Sequence, residues 1–234
     1  AAAARRLDEL KTPAGEIGIT LVNRDPWHVI RVRTYEQDLS DTRVPLADVL
    51  DPIGVELVLD EVASIDAKAR SIGLGSGKTL AYDRLVLASG SRLHMPDIAG
   101  LARHAFHVDT FQGGDALNGH ISALGKRPAS AARDTVVVVG AGLTGIEAAC
   151  EMPEKLARAG IQRGRVILAD ALPRVGSDMG DEARPVIERA LRDLNVETRT
   201  GIQIEAVDDY GVTLKGGERI ATETLVWAAG MRAS

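Results

Sequence analysis

The sequence predicts an α/β protein with two similar halves, each a parallel, doubly wound sheet, the first of which is incomplete. Three observations lead to this prediction. Apolar strands alternate with helical patterns after residue 135, as in parallel sheets. Two segments, "LVLASG" at residues 85–90 and "LVWAAG" at residues 225–230, are near copies of each other. A glycine-rich turn, "GAGLTG" at residues 140–145, occurs only once.

Composition restricts the class of protein. The 234 residues suit one large domain or two domains, and 45% apolar with 26% charged residues is typical of a soluble globular chain. No apolar run approaches the roughly 18–20 residues that cross a bilayer, and the N-terminus has no secretory signal pattern. A net charge of −5 without a basic stripe makes nucleic acid an unexpected partner. The single cysteine, Cys150, excludes a disulfide within the chain and favours a reducing, cytoplasmic location.

The first half reads as short strands with few helices. Good helix formers in "AAAARRLDELK" predict a helix that ends at Pro13 and Gly15. Strands are predicted at residues 16–23 and 55–66, and a hairpin around residues 73–77 leads into a buried strand at 85–88. The segment "GLGSGKT" in that hairpin misses the spacing of a phosphate-binding loop by one residue, so we interpret it as a turn.

The second half is more regular. We expect helices at residues 113–124, 143–160 and 181–195, with Pro153 marking a kink or an early stop in the second of them. Residues 135–140 and 165–170 are continuous apolar strands, as in sheets buried on both faces. Short β segments with glycine turns complete the sequence. The polar stretch at 125–134 is a credible junction between the halves.

The two halves align as a repeat. Asn23 corresponds to Asp170 with an offset of 147, and Gly90 corresponds to Gly230 with an offset of 140. Shifting Gly140 back by 147 places the first half's glycine turn at about position −7, before Ala1. We therefore expect a fragment that begins inside the first helix of residues 1–112, followed by a second domain at residues 113–234.

The glycine-rich turn carries the strongest functional signal. Gly140 permits a tight strand-to-helix turn, Gly142 allows a pyrophosphate to approach the backbone, and Gly145 lets the helix pack closely. Ala141, Leu143 and Thr144 complete the motif, which predicts a Rossmann-like dinucleotide-binding domain. The alternative is a glycine turn needed only for packing.

Asp170 ends the next strand, where a carboxylate would bind the adenine ribose 2′-hydroxyl and repel a 2′-phosphate. This favours NADH over NADPH, although Arg174 would weaken the repulsion; the alternative is a solvent-facing loop acid.

The remaining titratable residues give weaker signals. Glu147 is either an acid favoured by the dipole of a first helical turn or a carboxylate near a nicotinamide. His104 and His107 are three residues apart, but no cluster of ligands completes a metal site, so no metal is predicted. We interpret Cys150 as a small buried side chain.

These motifs resemble the two-nucleotide flavoprotein reductases, and among them the type II NADH dehydrogenases. The supporting stretches are "ITLVNRDPWHVIRVRTYE", "VELVLDEVASID", "YDRLVLASGSRLHMPDIAGL", "GAGLTGIEAACEMPEKLARAG", "ILADALPRVGSDMG" and "TLVWAAGMRAS".

The resemblance implies a role for particular residues. It places Glu147 near the nicotinamide, as the candidate catalytic residue, and Ala229 and Gly230 at the nicotinamide end of the NADH domain. Val62 would meet the FAD adenine. Ala88, Ser89 and Gly90 would lie against FAD. The resemblance thus implies an FAD-binding domain at residues 1–112 and an NADH-binding domain at residues 113–234.

The resemblance also implies an activity. The parent protein would transfer a hydride from NADH to FAD and then reduce a quinone, while the fragment would hold FAD poorly. Alternatives are a flavoprotein reductase with a protein acceptor and a non-catalytic NAD-binding module. A homodimer is left open, and contact with the cytoplasmic face of a membrane would require a C-terminal region that this sequence lacks.

Overall fold

The computed structural model describes residues 17–233, which form two compact units. The first unit comprises residues 17–30 and 43–88, and the second comprises residues 31–42 and 89–233. The helix predicted for residues 1–11 lies outside the described part of the chain. The second unit thus includes residues 31–42 and 89–112, which the sequence assigned to the FAD-binding domain. The functional boundary at residues 112 and 113 stays a prediction.

Short strands dominate the first unit. Its strands and single α-helix are β1 (Thr20–Asn23), β2 (Trp27–Val29), β3 (Arg43–Pro45), α1 (Leu46–Leu50), β4 (Glu56–Leu59), β5 (Val62–Asp66), β6 (Ser71–Leu74) and β7 (Thr79–Ala81). β1 pairs with β4 in parallel, β2 with β3 antiparallel, and β5, β6 and β7 form an antiparallel meander. A small core of Leu46, Leu50 and Val55 packs beside β1 and β4.

The second unit holds the longer helices. Its elements are β8 (Ser91–Leu93), α2 (Leu101–His104), β9 (Ala105–Phe106), α3 (Phe111–Leu124), β10 (Thr135–Val139), α4 (Leu143–Arg158), β11 (Arg165–Asp170), α5 (Arg184–Asp193), β12 (Val196–Thr200), β13 (Ile204–Asp208), β14 (Gly211–Leu214), β15 (Arg219–Ala221), β16 (Thr224–Trp227) and β17 (Met231–Ala233).

A five-stranded parallel sheet forms the centre of this unit, in the order β12-β11-β10-β16-β9. Every residue of β10 is buried, as its unbroken apolar sequence predicts. Val136 and Val138 face a core shared with α3, α4 and α5, whereas Val137 and Val139 face the antiparallel meander of β13, β14 and β15. The predicted parallel α/β architecture is confirmed, with helices covering one face and a β meander covering the other.

The two meanders support the repeat. β5, β6 and β7 pair in the same order as β13, β14 and β15, and each has an irregularity in register at its start, between Val62 and Ser64 and between Ile204 and Ala206. The predicted turn in "GLGSGKT" is confirmed, since it connects β6 to β7 with Gly77 at a φ of +85°.

Two predicted strands differ from the structure. Residues 85–88 were expected as a buried strand, but they form no strand, and Val86 and Leu87 are 84% and 70% exposed. Their counterpart β16 lies between β10 and β9, whereas no strand among the described residues pairs with 85–88. The strand expected at 55–66 is two strands. The helix expected at 143–160 is present as α4, and it continues past Pro153 to Arg158, so Pro153 does not stop it early.

Among residues 17–233, no helix combines the length and the apolarity that a bilayer span requires.

Candidate dinucleotide-binding site

The glycine-rich turn joins β10 to α4, and its three glycines differ in their surroundings. A Cβ on Gly140, which has a φ of +109°, would lie 2.8 Å from the Ala229 nitrogen. A Cβ on Gly145 would lie 1.7 Å from the Gly140 carbonyl oxygen. A Cβ on Gly142 would have only Asp178 Oδ2 nearby, at 3.8 Å. Gly140 and Gly145 are therefore required by packing, while Gly142 leaves open space above the turn.

The first turn of α4 offers unpaired backbone donors to that space. The helix begins at Leu143 without a side-chain cap, and Leu143 and Thr144 are exposed. Uncapped N–H groups and the positive end of the helix dipole favour an anion. The open space at Gly142 and these donors have the chemistry of an anion site, and the pyrophosphate contact stays a prediction.

Asp170 is tied to the glycine turn. It ends β11 beside β10, where Oδ2 accepts the Ala141 N–H at 2.5 Å and Oδ1 accepts the Leu172 N–H at 2.6 Å. Each carboxylate oxygen can accept a second hydrogen bond, so a ribose hydroxyl can still bind there. The ribose contact of Asp170 stays a prediction.

The loop after β11 folds back over the same turn. The Gly176 N–H donates to the Ala141 carbonyl at 2.9 Å, and Val175 is buried beneath it. Arg174 is exposed and lies 3.8 Å from Asp181. Asp178, which no local pattern indicates, lies at the edge of the open space, with Oδ2 3.8 Å from the position of a Cβ on Gly142.

The closing segment after β16 lies against the turn. The Ala228 N–H donates to the Val139 carbonyl at 2.8 Å, and Ala229 contacts Gly140. Gly230 has a φ of +79°, and its carbonyl accepts the His94 N–H at 3.0 Å. The structure thus brings Ala229 together with the glycine turn and places Gly230 next to it in the chain.

Glu147 lies in the second turn of α4, so the expectation of a first-turn acid is wrong and the helix dipole does not account for it. Partial burial raises the pKa of Glu147, and a hydrogen bond from the Tyr35 hydroxyl acts in the opposite direction. Burial is also the main cause of the raised pKa of Tyr35, with the Glu147 carboxylate next. No local pattern indicates Tyr35, because it is distant from Glu147 along the chain.

The residues expected to face FAD do not form a comparable site in the described chain. Val62 begins β5 and is 40% exposed, while Ala88, Ser89 and Gly90 are exposed and outside any strand. Among residues 17–233, no glycine-rich strand-to-helix turn accompanies them. The described residues therefore provide no cradle for the FAD pyrophosphate.

The histidines and Cys150 have structural partners. His104 Nδ1 lies 3.0 Å from Asp209 Oδ1, and His120 Nε2 lies 2.9 Å from Thr224 Oγ1. Within the described chain, no group of three or more His, Cys, Asp or Glu side chains could hold a metal. Cys150 is partly buried against the helical core, and burial raises the pKa of its thiol.

The parallel sheet, the glycine turn and the strand-end carboxylate define the second unit as a dinucleotide-binding α/β domain. Comparison with known families agrees and extends this conclusion. The family model described as pyridine nucleotide-disulphide oxidoreductase matches residues 1–234, and the chain belongs to this family.

Within this family, the curated relatives that the chain resembles include NADH dehydrogenase-like proteins. An NADH dehydrogenase-like protein of Mycobacterium tuberculosis (strain CDC 1551 / Oshkosh) is 55% identical over 236 residues, covering 99% of this chain and 59% of the relative. The type II NADH:quinone oxidoreductase NdhA of M. tuberculosis (strain ATCC 25618 / H37Rv) is 32% identical, covering 94% of this chain and 53% of the relative. The chain thus spans between half and three fifths of the length of these relatives.

Solved structures share the fold. NDH2 from Plasmodium falciparum, solved in complex with NADH, matches with a TM-score of 0.81 at 14% identity, covering 94% of this chain and 51% of that one. The sulfide:quinone oxidoreductase of Aquifex aeolicus matches with a TM-score of 0.80 at 20% identity, covering 97% and 55%.

Proposed function

We propose that this chain is the nucleotide-binding part of an FAD-dependent NADH dehydrogenase that reduces a quinone. The observation that carries the proposal is the pairing of the open, uncapped turn at Gly142 with the Asp170 carboxylate at the adjacent strand end. The relatives named NADH dehydrogenase-like protein and NADH:quinone oxidoreductase support the choice of reaction.

The residues of the turn would bind and orient NADH. The N–H groups at the start of α4 would hold its pyrophosphate, and Asp170 would accept the ribose 2′-hydroxyl while repelling a 2′-phosphate. Bound NADH would supply a hydride, and FAD in the full-length protein would be its acceptor.

The nicotinamide end would meet Ala229, Gly230 and Glu147. Glu147 would act as a hydrogen-bonding group beside the nicotinamide, with its carboxylate held by the Tyr35 hydroxyl. Ala229 and Gly230 have little side-chain bulk, so a flat ring could approach this part of the backbone closely.

Two measurements test the proposal. Calorimetric titration of this chain should show binding of NADH and much weaker binding of NADPH. In the full-length protein, NADH should bleach the flavin absorbance, and a quinone should restore it. Absence of NADH binding, or equally tight binding of NADPH, would overturn the assignment of the site to NADH. Flavin bleaching that no quinone reverses would overturn the assignment of a quinone as the electron acceptor.

A further inference from the structure

Lys155 is a buried cation that the proposed chemistry does not use. It lies on α4 and is 2% exposed, and no carboxylate among residues 17–233 lies within ion-pair distance of its Nζ. Burial lowers its pKa to about 8, while the more distant Glu151 and Glu36 carboxylates oppose the shift. Burying an amine without a counter-ion is costly, so its hydrogen bonds need an explanation.

Those hydrogen bonds connect α4 to a distant segment. Lys155 Nζ donates to the Glu36 carbonyl at 3.0 Å and to Asn118 Oδ1 on α3 at 2.5 Å. Asn118 Nδ2 in turn donates to the carbonyls of Glu36 and Gln37, both at 3.1 Å. The Glu36 carbonyl therefore receives two donors, and two helices hold the backbone of residues 36–37.

Tyr35 is the residue directly before this anchored carbonyl. On its other side, Thr34 is fully buried, and its single hydroxyl hydrogen lies within reach of two carbonyl acceptors, those of Arg31 and Val108. The Tyr35 hydroxyl in turn forms a hydrogen bond with the Glu147 carboxylate.

We propose that Lys155 is a positioning residue, which fixes the Glu36 carbonyl and thereby holds Tyr35 against Glu147. A role of Lys155 in catalysis rests on the proposed function, because that function places Glu147 beside the nicotinamide. The structural link from Lys155 to Tyr35 is independent of the proposed function. Lys155 is suited to this because a neutral amine still has two N–H donors and an ammonium has three, so both acceptors are satisfied in either state.

The titration of Tyr35 tests the link. The chain has three tyrosines, so Tyr82→Phe and Tyr210→Phe leave Tyr35 as the only phenol. Its ionisation is then followed by ultraviolet absorbance, with and without Lys155→Met. Lys155, with a pKa of about 8, is neutral in the pH range where Tyr35 ionises, so loss of its charge alone would leave the Tyr35 pKa unchanged. Release of Tyr35 into solvent would instead lower its pKa toward about 10.

We expect the lower pKa in Lys155→Met, together with at least tenfold faster backbone hydrogen exchange in residues 31–42. Asn118→Leu, which removes the other donor to Glu36, should move the Tyr35 pKa in the same direction. Arg158→Gln is the matched control, because Arg158 is an exposed cation on the same helix paired with Glu154, and it should leave both measurements unchanged.

A raised or unchanged Tyr35 pKa in folded Lys155→Met, with Asn118→Leu equally silent, would overturn the proposal. Circular dichroism establishes that each variant is folded. Neither measurement uses a nucleotide. Failure of NADH to bind the unmodified chain would therefore refute the proposed function, whereas the Tyr35 titration and the hydrogen exchange would still decide the role of Lys155.

Discussion

Substituting Gly142 and Gly145 separately by alanine distinguishes a glycine that makes room for a ligand from one that makes room for a helix. A methyl group on Gly142 meets nothing closer than Asp178 Oδ2 at 3.8 Å, and Gly142 has a φ of −79° that alanine adopts freely. Gly142→Ala should therefore leave stability unchanged or raise it by about 0.4–1 kcal/mol, because alanine restricts the unfolded chain. Its methyl group would occupy the space above the turn, so NADH affinity should fall at least tenfold.

Gly145→Ala should behave in the opposite way. Its methyl group would lie 1.7 Å from the Gly140 carbonyl oxygen, about half a normal contact distance, so α4 and the end of β10 must separate. Overpacking of this kind costs about 1–3 kcal/mol. Urea unfolding measures the stability of both variants, and calorimetry measures their NADH affinity.

The opposite results in these two variants would refute the roles assigned to Gly142 and Gly145. A destabilised Gly142→Ala would mean that the space above the turn is occupied by the protein itself. A stable Gly142→Ala that binds NADH as tightly as the unmodified chain would show that the pyrophosphate does not bind at this turn.

Four further outcomes follow from the same structure. Asp170→Ala should cost about 1–3 kcal/mol in urea unfolding, since two backbone N–H groups lose their acceptor, and it should weaken the preference for NADH over NADPH in competition binding. Thr110→Ala should cost about 0.5–2 kcal/mol in the same unfolding assay, because Thr110 Oγ1 caps α3 through the Gly113 N–H at 3.0 Å. The pKa of Glu147 is raised in the folded state, so its ionised carboxylate disfavours folding at neutral pH. Glu147→Gln should therefore be more stable than the unmodified chain at pH 7. In pH-dependent unfolding, this difference should disappear below about pH 4.5, where the carboxyl group is protonated in both states. Folding lowers the pKa of Lys155 from 10.5 to about 8, so the unfolded chain binds more protons than the folded chain between these two pH values. The free energy of unfolding should therefore rise with pH across this window. In Lys155→Met, this rise should be absent.

The elements of the second unit that form the site could be predicted from sequence because each depends on a short, local sequence pattern. A continuous apolar run predicted β10, glycine spacing predicted the turn into α4, and the acid at the end of the next strand predicted Asp170 beside it. Each of these features depends on residues that are near one another in the chain or at the ends of adjacent parallel strands.

The failures have non-local causes. Residues 85–88 carry the same apolar pattern as β16, but a buried strand also needs neighbours, and no described strand pairs with them. Likewise, nothing in the sequence near Lys155 indicates that Glu36, 119 residues earlier, accepts its hydrogen bond. Tyr35 was missed for the same reason, since its environment is set by α4 rather than by its own segment.

The two-residue strand β9 has a practical consequence for producing the nucleotide-binding unit alone. β9 covers the outer edge of β16, pairing Ala105 with Leu225 and Phe106 with Val226. A polypeptide cut before residue 113 would leave the backbone donors and acceptors of an apolar strand open to a second molecule, which promotes edge-to-edge aggregation. It would also expose the amine of Lys155 by removing residues 31–42. Soluble expression of this unit therefore requires two discontinuous stretches of the gene, joined by a linker or kept within the intact chain.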